Sequence, residues 1–194
     1  MTSTDLADSS RLITPEYRRQ QEILHETTEY GTASILYAPM VSDIINRMGV
    51  THLLDYGCGH MTNLAKNLKV KHKLTYQAYD PGVPRFNKEP LPAQMVACID
   101  VLEHIEPELL DNVLDDLTSL CEGILFCTFD TGPAMKTLSD GRNAHLIQQP
   151  LEWWFPKFAS RFDLQTIQAT SDKSYLVIGQ AKVRIESTHG DALV

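Results

Sequence analysis

A buried strand that runs straight into a pair of glycines constrains the fold of this chain more than any other feature. Residues 51–56 read Thr-His-Leu-Leu-Asp-Tyr and predict a strand, and Gly57-Cys58-Gly59 follows directly. A short helix is predicted from Asn63 to Leu68. Because glycine has no side chain, the backbone can turn sharply there and approach a ligand closely. The order strand, glycine turn and helix therefore indicates a ligand site where the strand ends.

The rest of the chain alternates between strand and helix patterns. Further strands are predicted at 74–80, 95–99, 124–129, 164–169 and 175–183, and helices at 15–25, 39–48, 107–121 and 151–158. This alternation predicts an α/β fold, namely a Rossmann-like, mostly parallel sheet with helices on both faces and an antiparallel closing strand pair. Three prolines make 83–92 a loop, and 130–149 has the character of a long functional loop.

The length and charge of the chain limit its organisation and its partners. Its 194 residues suit one domain, which we divide into a helical lead or lid (1–50), a core (51–185) and a flexible tail (186–194). The formal charge of −8 argues against a broad grip on phosphate backbones, so a nucleic-acid partner is disfavoured. The sequence carries no signal for an oligomeric state.

Two further patterns concern the compartment. No apolar run reaches 18 residues, and the polar, acidic N-terminus does not resemble a signal peptide, so neither a membrane span nor secretion is expected. The four cysteines form no Cys-x-x-Cys pair, which is typical of a reduced protein. We therefore expect a cytoplasmic protein without a membrane partner.

The predicted strands end at residues that can surround one ligand. In parallel sheets, ligands bind beyond the carboxyl ends of the strands. That rule selects 57–59, 80–82, 100–104 and 130–132 as the rim of one site. Asp80 ends the second strand, where a carboxylate can accept both hydroxyls of a ribose. The rim therefore predicts a cofactor that carries adenosine, either a dinucleotide or another compound.

Two details favour S-adenosylmethionine over a dinucleotide. Asp55 stands two residues before the first glycine, where an acid is poorly placed beside a pyrophosphate but suits an ammonium and a sulfonium. Thr62 replaces the third glycine of Gly-x-Gly-x-x-Gly, which the dinucleotide fold uses for close helix packing. The alternative is that the glycines only form a turn and bind no ligand. The presence of Asp55 and Asp80 argues against this alternative.

Residues 51–183 resemble the class I S-adenosylmethionine-dependent methyltransferases. The similarity lies in Leu53–Gly59 as the first family motif, Tyr79-Asp80 as the second and Cys98–Ile105 as the motif after the next strand. The resemblance implies a cofactor site made of Asp55, Gly57, Cys58, Gly59, Asp80, Pro81 and Asp100. Two departures from the family pattern are Met61 in place of a third glycine and residues 81–94, which are too few for the usual helix, strand and helix. We therefore expect the sheet to lack one element.

Asp100, Glu103 and His104 form a second candidate site on the same rim. Their i, i+3, i+4 spacing places them on one side of a helix, where two carboxylates and an imidazole suit Mg²⁺ or Mn²⁺, or Zn²⁺. The same pattern also fits acids that stabilise a helix N-terminus. The segment 101–104 resembles that of ubiquinone-pathway O-methyltransferases and of small-RNA 3′-terminal 2′-O-methyltransferases, in which it binds a divalent ion. In the RNA enzymes a later histidine completes the site, which implies His145 here.

These observations lead to one function and two alternatives. We expect an S-adenosylmethionine-dependent methyltransferase that methylates an oxygen of a small hydroxylated molecule, with Mg²⁺ or Mn²⁺ held by Asp100, Glu103, His104 and His145. His104 and His145 are also the candidate catalytic bases, because imidazole titrates near neutral pH. The alternatives are a 2′-O-methyltransferase acting on a nucleic-acid end or nucleoside, and a non-catalytic regulatory protein that binds S-adenosylmethionine.

Overall fold

The computed structural model describes residues 11–27 and 32–182. The flexible tail predicted at 186–194 and the first part of the lead lie outside the described residues. The described helices are α1 Pro15–Thr27, α2 Ala33–Met48, α3 Asn63–Asn67, α4 Leu110–Leu120 and α5 Leu151–Ala159. The strands are β1 His52–Tyr56, β2 Thr75–Tyr79, β3 Ala93–Ile99, β4 Cys121–Asp130, β5 Phe162–Ala169 and β6 Ser174–Ala181.

The strands form one sheet in the order β2-β1-β3-β4-β6-β5. Strands β1 to β4 pair in parallel, whereas β6 runs antiparallel to both β4 and β5. The predicted Rossmann-like α/β fold with an antiparallel closing pair is therefore confirmed. Because β1, β2 and β3 are parallel, their carboxyl ends lie at one edge of the sheet, where the predicted site residues follow them.

Helices cover both faces of the sheet because successive strand residues point to opposite sides. In β1, Leu53 belongs to the apolar cluster under α2 and α3, whereas Leu54 belongs to the cluster under α4 and α5. Fully buried residues fill both layers, such as Ile45 of α2 on one face and Trp154 of α5 on the other. Each layer therefore fixes the position of the loops that leave the strands.

The predicted start of α2, the predicted end of α4 and the predicted burial of Phe155 were wrong. Helix α2 begins at Ala33 and contains Pro39, because its buried residues hold the helix together even though proline lacks the amide N–H for a helical hydrogen bond. Cys121, predicted on the face of α4, opens β4 and pairs with Ala93. Phe155, predicted on the buried face of α5, is 49% exposed. The predicted end of α2 was right, since Gly49 has the left-handed φ of 67° that stops a helix.

The connection from β2 to β3 is as short as the sequence predicted. Between these strands the structure forms a single 3-10 turn, Pro84–Phe86, and no further strand or α-helix. Gln77 of β2 binds this connection through its side-chain amide, which donates to the carbonyl of Leu91 at 3.1 Å and accepts from its N–H at 3.0 Å. The side chain thus satisfies both backbone groups of Leu91 and holds the loop against β2.

Candidate active site

A cleft opens at the carboxyl ends of β1, β2 and β3. Residues 57–59, 80–82 and 99–101 line it, together with His104. The lining thus includes six of the seven residues predicted to bind the cofactor. The N-terminal segment contributes a further wall through Leu12, Ile13, Tyr17 and Gln21.

The turn after β1 has no room for a side chain at its first residue, Gly57. The N–H groups of Gly57 and Cys58 both donate to the carbonyl of Tyr79, at 2.8 and 3.1 Å, which ties the turn to the end of β2. Gly57 has a φ of 77°, and a Cβ atom there would lie 2.4 Å from Cγ2 of Val101. Both the backbone conformation and the space therefore require glycine.

We expect Gly57→Ala to lower the free energy of unfolding by roughly 2–4 kcal/mol, because it combines a strained φ with overpacking against Val101. Urea unfolding measures this loss. The matched control is Gly49→Ala, because Gly49 has a similar φ of 67° but nothing within 4 Å of a Cβ atom. Equal losses in both variants would show that contact with Val101 does not matter.

Asp80 joins the two turns on either side of the cleft. Its Oδ2 accepts the N–H of Gly59 and its Oδ1 accepts the N–H of Gly82, both at 2.9 Å. Burial raises the pKa of this carboxyl, and the two backbone hydrogen bonds oppose that rise. Because a carboxylate oxygen has more than one lone pair, both oxygens remain able to accept ribose hydroxyls.

Asp55 is 2% exposed and is not among the described residues that line the cleft. Its carboxylate accepts a hydrogen bond from the hydroxyl of Tyr76 on β2. Burial raises the pKa of Asp55 to about 7, and the hydrogen bond from Tyr76 opposes the rise. The structure thus places this acid in a buried contact with β2 and not on the surface of the cleft.

This buried acid predicts a pH-dependent stability. The folded chain holds Asp55 protonated up to about pH 7, whereas an ordinary aspartate has a pKa of 3.8. The stabilisation from proton binding is therefore complete below about pH 4 and is lost as the pH rises through 7. Asp55→Asn should raise the free energy of unfolding at about pH 8 by on the order of 2–4 kcal/mol, with a smaller difference at about pH 5.

Urea unfolding of both proteins at the two pH values tests this expectation. Asp163→Asn is the control, because Asp163 is exposed. If Asp55→Asn and the unmodified chain lost stability equally between the two pH values, the buried carboxyl would not be the cause.

Glu103, His104 and His145 converge next to the cleft. Each offers a possible ligand atom, and these atoms all lie within 4.8 Å of one another. Glu103 is fully buried, and its Oε1 accepts the N–H of Asp130 at 2.9 Å. Within the described part of the chain, its Oε2 has no hydrogen-bond partner. Burial raises the pKa of Glu103 well above its ordinary range, and the charge of Asp100 adds to the rise.

The two histidines present the same ring nitrogen to the backbone. Nδ1 of His104 lies 2.8 Å from the carbonyl of Ala144, and Nδ1 of His145 lies 2.7 Å from the carbonyl of Gly132. Because a carbonyl can only accept, each Nδ1 carries the hydrogen, and in the neutral ring each Nε2 carries the lone pair. The ring centroids are 4.7 Å apart. Two imidazole lone pairs and an unpartnered carboxylate oxygen are a donor set that fits a divalent cation.

Asp100 lies outside this cluster, although the spacing argument placed it there. It has a left-handed φ of 52°, and the 3-10 turn begins only at Leu102. Helical spacing therefore does not apply between Asp100 and Glu103. The Oδ1 of Asp100 accepts the hydroxyl of Thr128 at 2.6 Å, and the residue lines the cleft. Of the four predicted metal ligands, three converge and the fourth lines the cleft.

Some residues of the site could not be found from sequence patterns. The hydroxyl of Tyr17 donates to the carbonyl of His104 at 2.6 Å. Thr14 donates to the carboxylate of Glu106 through its N–H at 2.8 Å and through its hydroxyl at 2.6 Å. These contacts join residues about 90 positions apart, and isolated polar residues on a helix give no signal of such partners.

Comparison with known proteins provides structural relatives only. No protein-family model and no curated protein matches the sequence. The mitomycin 7-O-methyltransferase MmcR matches with a TM-score of 0.61 and 10% identity, over 84% of this chain and 57% of that one. The Burkholderia thailandensis 1,6-didemethyltoxoflavin-N1-methyltransferase, solved with bound 1,6-didemethyltoxoflavin and S-adenosylhomocysteine, matches with a TM-score of 0.56 and 13% identity, over 86% of this chain and 84% of that one.

The small RNA methyltransferase HEN1 also matches, with a TM-score of 0.57 and 13% identity over 80% of this chain and 27% of that one. The chain likewise spans 57% of the length of TnmH. No helix within 11–27 or 32–182 has the length and apolar character needed to cross a membrane.

At sequence identities of 10–15%, the structural matches establish the fold. The chain has the Rossmann-like fold of the class I S-adenosylmethionine-dependent methyltransferases.

Proposed function

We propose that this chain is an S-adenosylmethionine-dependent methyltransferase that transfers the methyl group to an oxygen of a small hydroxylated molecule. The observation that carries the proposal is the position of His104, which lines the cofactor cleft and also belongs to the cluster with Glu103 and His145. A methyl donor in the cleft would therefore lie beside groups that can bind and deprotonate an acceptor.

The cleft offers a complementary group to each end of the cofactor. Asp80 would accept the ribose hydroxyls, and the glycine turn at 57–59 would leave room for the methionine end. Asp100, anchored by Thr128, adds a carboxylate that suits the ammonium of the methionine. The toxoflavin-pathway neighbour, solved with S-adenosylhomocysteine, supports this assignment of the ligand class.

The cluster would hold Mg²⁺ or Mn²⁺ through Glu103, His104 and His145. Such an ion lowers the pKa of a coordinated hydroxyl and orients its oxygen. The residues themselves fix the site, because the carbonyls of Gly132 and Ala144 hold both rings in the orientation that directs Nε2 lone pairs away from the backbone. Without an ion, Nε2 of His145 could accept the proton of the acceptor as a general base.

The transfer itself requires little covalent chemistry from the protein. In such a transfer the acceptor oxygen would attack the methyl carbon in line with the sulfur, and the sulfur would keep the electron pair of the broken carbon–sulfur bond as a neutral thioether. The hydroxyl proton passes to the base and then to water. The contribution of the chain is to align the two reactants and to assist loss of the proton.

A nucleic-acid end is the alternative acceptor. The fold similarity to HEN1 and the cluster of one glutamate and two histidines favour it. The net charge of −8 opposes it, because binding of a phosphate backbone gains affinity from basic residues. The third reading, a regulatory protein that binds the cofactor without turnover, predicts binding and no transfer.

One assay separates these readings. The protein is incubated with methyl-labelled S-adenosylmethionine and either a pool of hydroxylated small molecules or RNA oligonucleotides with free 3′ ends, with Mn²⁺ or with a chelator. We expect label in the small-molecule pool that depends on the metal. Label in RNA would support the alternative acceptor, and cofactor binding without any transfer would support the regulatory protein.

A further inference from the structure

The loop between β4 and α5 contains a small ordered hairpin. The N–H of Leu138 donates to the carbonyl of Arg142 at 2.8 Å, and the N–H of Ala144 donates to that of Lys136 at 2.9 Å. Gly141 makes the turn with a φ of 89°. The segment predicted as a long loop is therefore organised at 136–144, directly before His145.

Asn143 joins the two arms at the base of this hairpin. Its Oδ1 accepts the N–H of Ala134 and the N–H of His145, both at 2.9 Å. Its Nδ2 donates to the carbonyl of Ala134 at 2.8 Å. The side chain of Asn143 thus makes three hydrogen bonds, which hold Ala134 close to His145.

The same base supplies the acceptors for both imidazole rings. Ala144, next to Asn143, provides the carbonyl for Nδ1 of His104, and Gly132, two residues before Ala134, provides the carbonyl for Nδ1 of His145. If the two arms separated, both carbonyls would move relative to the rings. The orientation of two of the three cluster side chains therefore depends on the contacts of Asn143.

We propose that Asn143 is a positioning residue, which holds His104 and His145 in the tautomer with hydrogen on Nδ1 and thereby directs both Nε2 lone pairs to a divalent cation. The proposal deepens the proposed function and rests on it for the cation. Asn143 is not among the described residues that line the cleft, and its hydrogen bond to the cluster goes to the backbone N–H of His145 rather than to an imidazole nitrogen. Its role is the support that ligand histidines receive from their outer hydrogen bonds.

The amide group is specifically required. Asparagine provides one acceptor for two N–H groups and one donor for a carbonyl, whereas aspartate has no donor at neutral pH and would face the carbonyl of Ala134 with a negative charge. Asn143→Asp should keep the two N–H contacts that stabilise the hairpin and lose the contact with the carbonyl of Ala134. It should therefore disturb the cluster less than Asn143→Ala does, but more than no substitution.

The first test requires no metal. Nitrogen-15 NMR of the histidine rings at about pH 8, where unperturbed imidazole is neutral, reports which ring nitrogen carries hydrogen. We expect Nδ1–H for His104 and His145 in the unmodified protein and a mixture of tautomers in Asn143→Ala. Unchanged tautomers in Asn143→Ala would overturn the proposal, whether or not the protein binds a metal.

The second test measures Mn²⁺ and S-adenosylhomocysteine affinities by calorimetry. We expect Asn143→Ala to weaken Mn²⁺ binding roughly tenfold to hundredfold, Asn143→Asp to weaken it less, and both to leave S-adenosylhomocysteine binding unchanged. The matched control is Asn46→Ala, because Asn46 also bridges two backbone groups, Lys69 and Lys71, but far from the cluster in sequence.

The two tests separate failures of the proposal from failures of the proposed function. If the unmodified protein binds no Mn²⁺, the metal part of the proposed function fails, and the tautomers alone decide the role of Asn143. If the unmodified protein binds Mn²⁺ and Asn143→Ala binds it equally well, the positioning role is contradicted while the metal site stands.

Discussion

Replacement of Glu103 by glutamine is expected to lower the rate of methyl transfer by about a hundredfold or more and to leave the affinity for S-adenosylhomocysteine unchanged. Glutamine has the size of glutamate and keeps an oxygen for the N–H of Asp130. It removes the negative charge that would hold a cation between the two histidines. A rate assay at saturating cofactor, with calorimetry of S-adenosylhomocysteine beside it, measures both quantities.

The free energy of unfolding of Glu103→Gln should not fall together with its rate of methyl transfer. The carboxyl of Glu103 is fully buried and its Oε2 has no partner in the described chain, so its charged form is costly without a cation. Glu103→Gln should therefore be at least as stable as the unmodified, metal-free protein. A loss of activity with retained stability and retained cofactor binding cannot be attributed to misfolding.

Glu108→Gln is the matched control for this experiment. It makes the same chemical change five positions along the chain, at an exposed side chain. It should change neither the rate nor the affinity. If Glu103→Gln kept the full rate and a chelator had no effect, the cluster would not take part in the reaction.

Replacement of Asp80 by alanine should weaken S-adenosylhomocysteine binding by about 1–3 kcal/mol, which corresponds to roughly fivefold to 150-fold in the dissociation constant. Two effects combine. The ribose loses a charged acceptor, and the N–H groups of Gly59 and Gly82 lose the carboxylate that joins the two turns.

Asp80→Asn separates these two effects. It retains one side-chain oxygen, so it can keep one of the two backbone contacts, and its binding should fall between that of alanine and that of the unmodified chain. Thermal unfolding without ligand reports the structural share of the loss. Asp163→Ala, at an exposed position, serves as the control and should bind normally. A normal affinity of Asp80→Ala for S-adenosylhomocysteine would show that Asp80 does not bind the ribose.

The features that the sequence predicted well depend on local rules. Gly57 and Asp80 directly follow β1 and β2 and line the cleft, as expected, because a buried strand followed by glycines and an acid at the next strand end define positions within one βαβ unit. The sheet could be derived from the alternation of apolar segments. The start of α2 could not, because Pro39 argued for a boundary that burial of the surrounding residues overrides.

The candidate cluster shows the limit of spacing arguments. Glu103 and His104 share a 3-10 turn and converge, whereas Asp100 precedes that turn with a left-handed backbone that no spacing rule foresees. The meeting of His104 with His145 was inferred by resemblance, since it depends on a loop contact across the fold. The contact of Tyr17 with His104 depends on tertiary packing, and those of Asn143 depend on the conformation of its own loop, so neither gave a sequence signal.

The central claim is that the cleft binds S-adenosylmethionine, and calorimetric titration of the unmodified protein with S-adenosylhomocysteine and with NAD tests it most directly. The account predicts saturable binding of S-adenosylhomocysteine at one site, with NAD binding much weaker or undetectable. It also predicts that Asp80→Ala reduces the first affinity. Tighter binding of NAD than of S-adenosylhomocysteine would contradict the account.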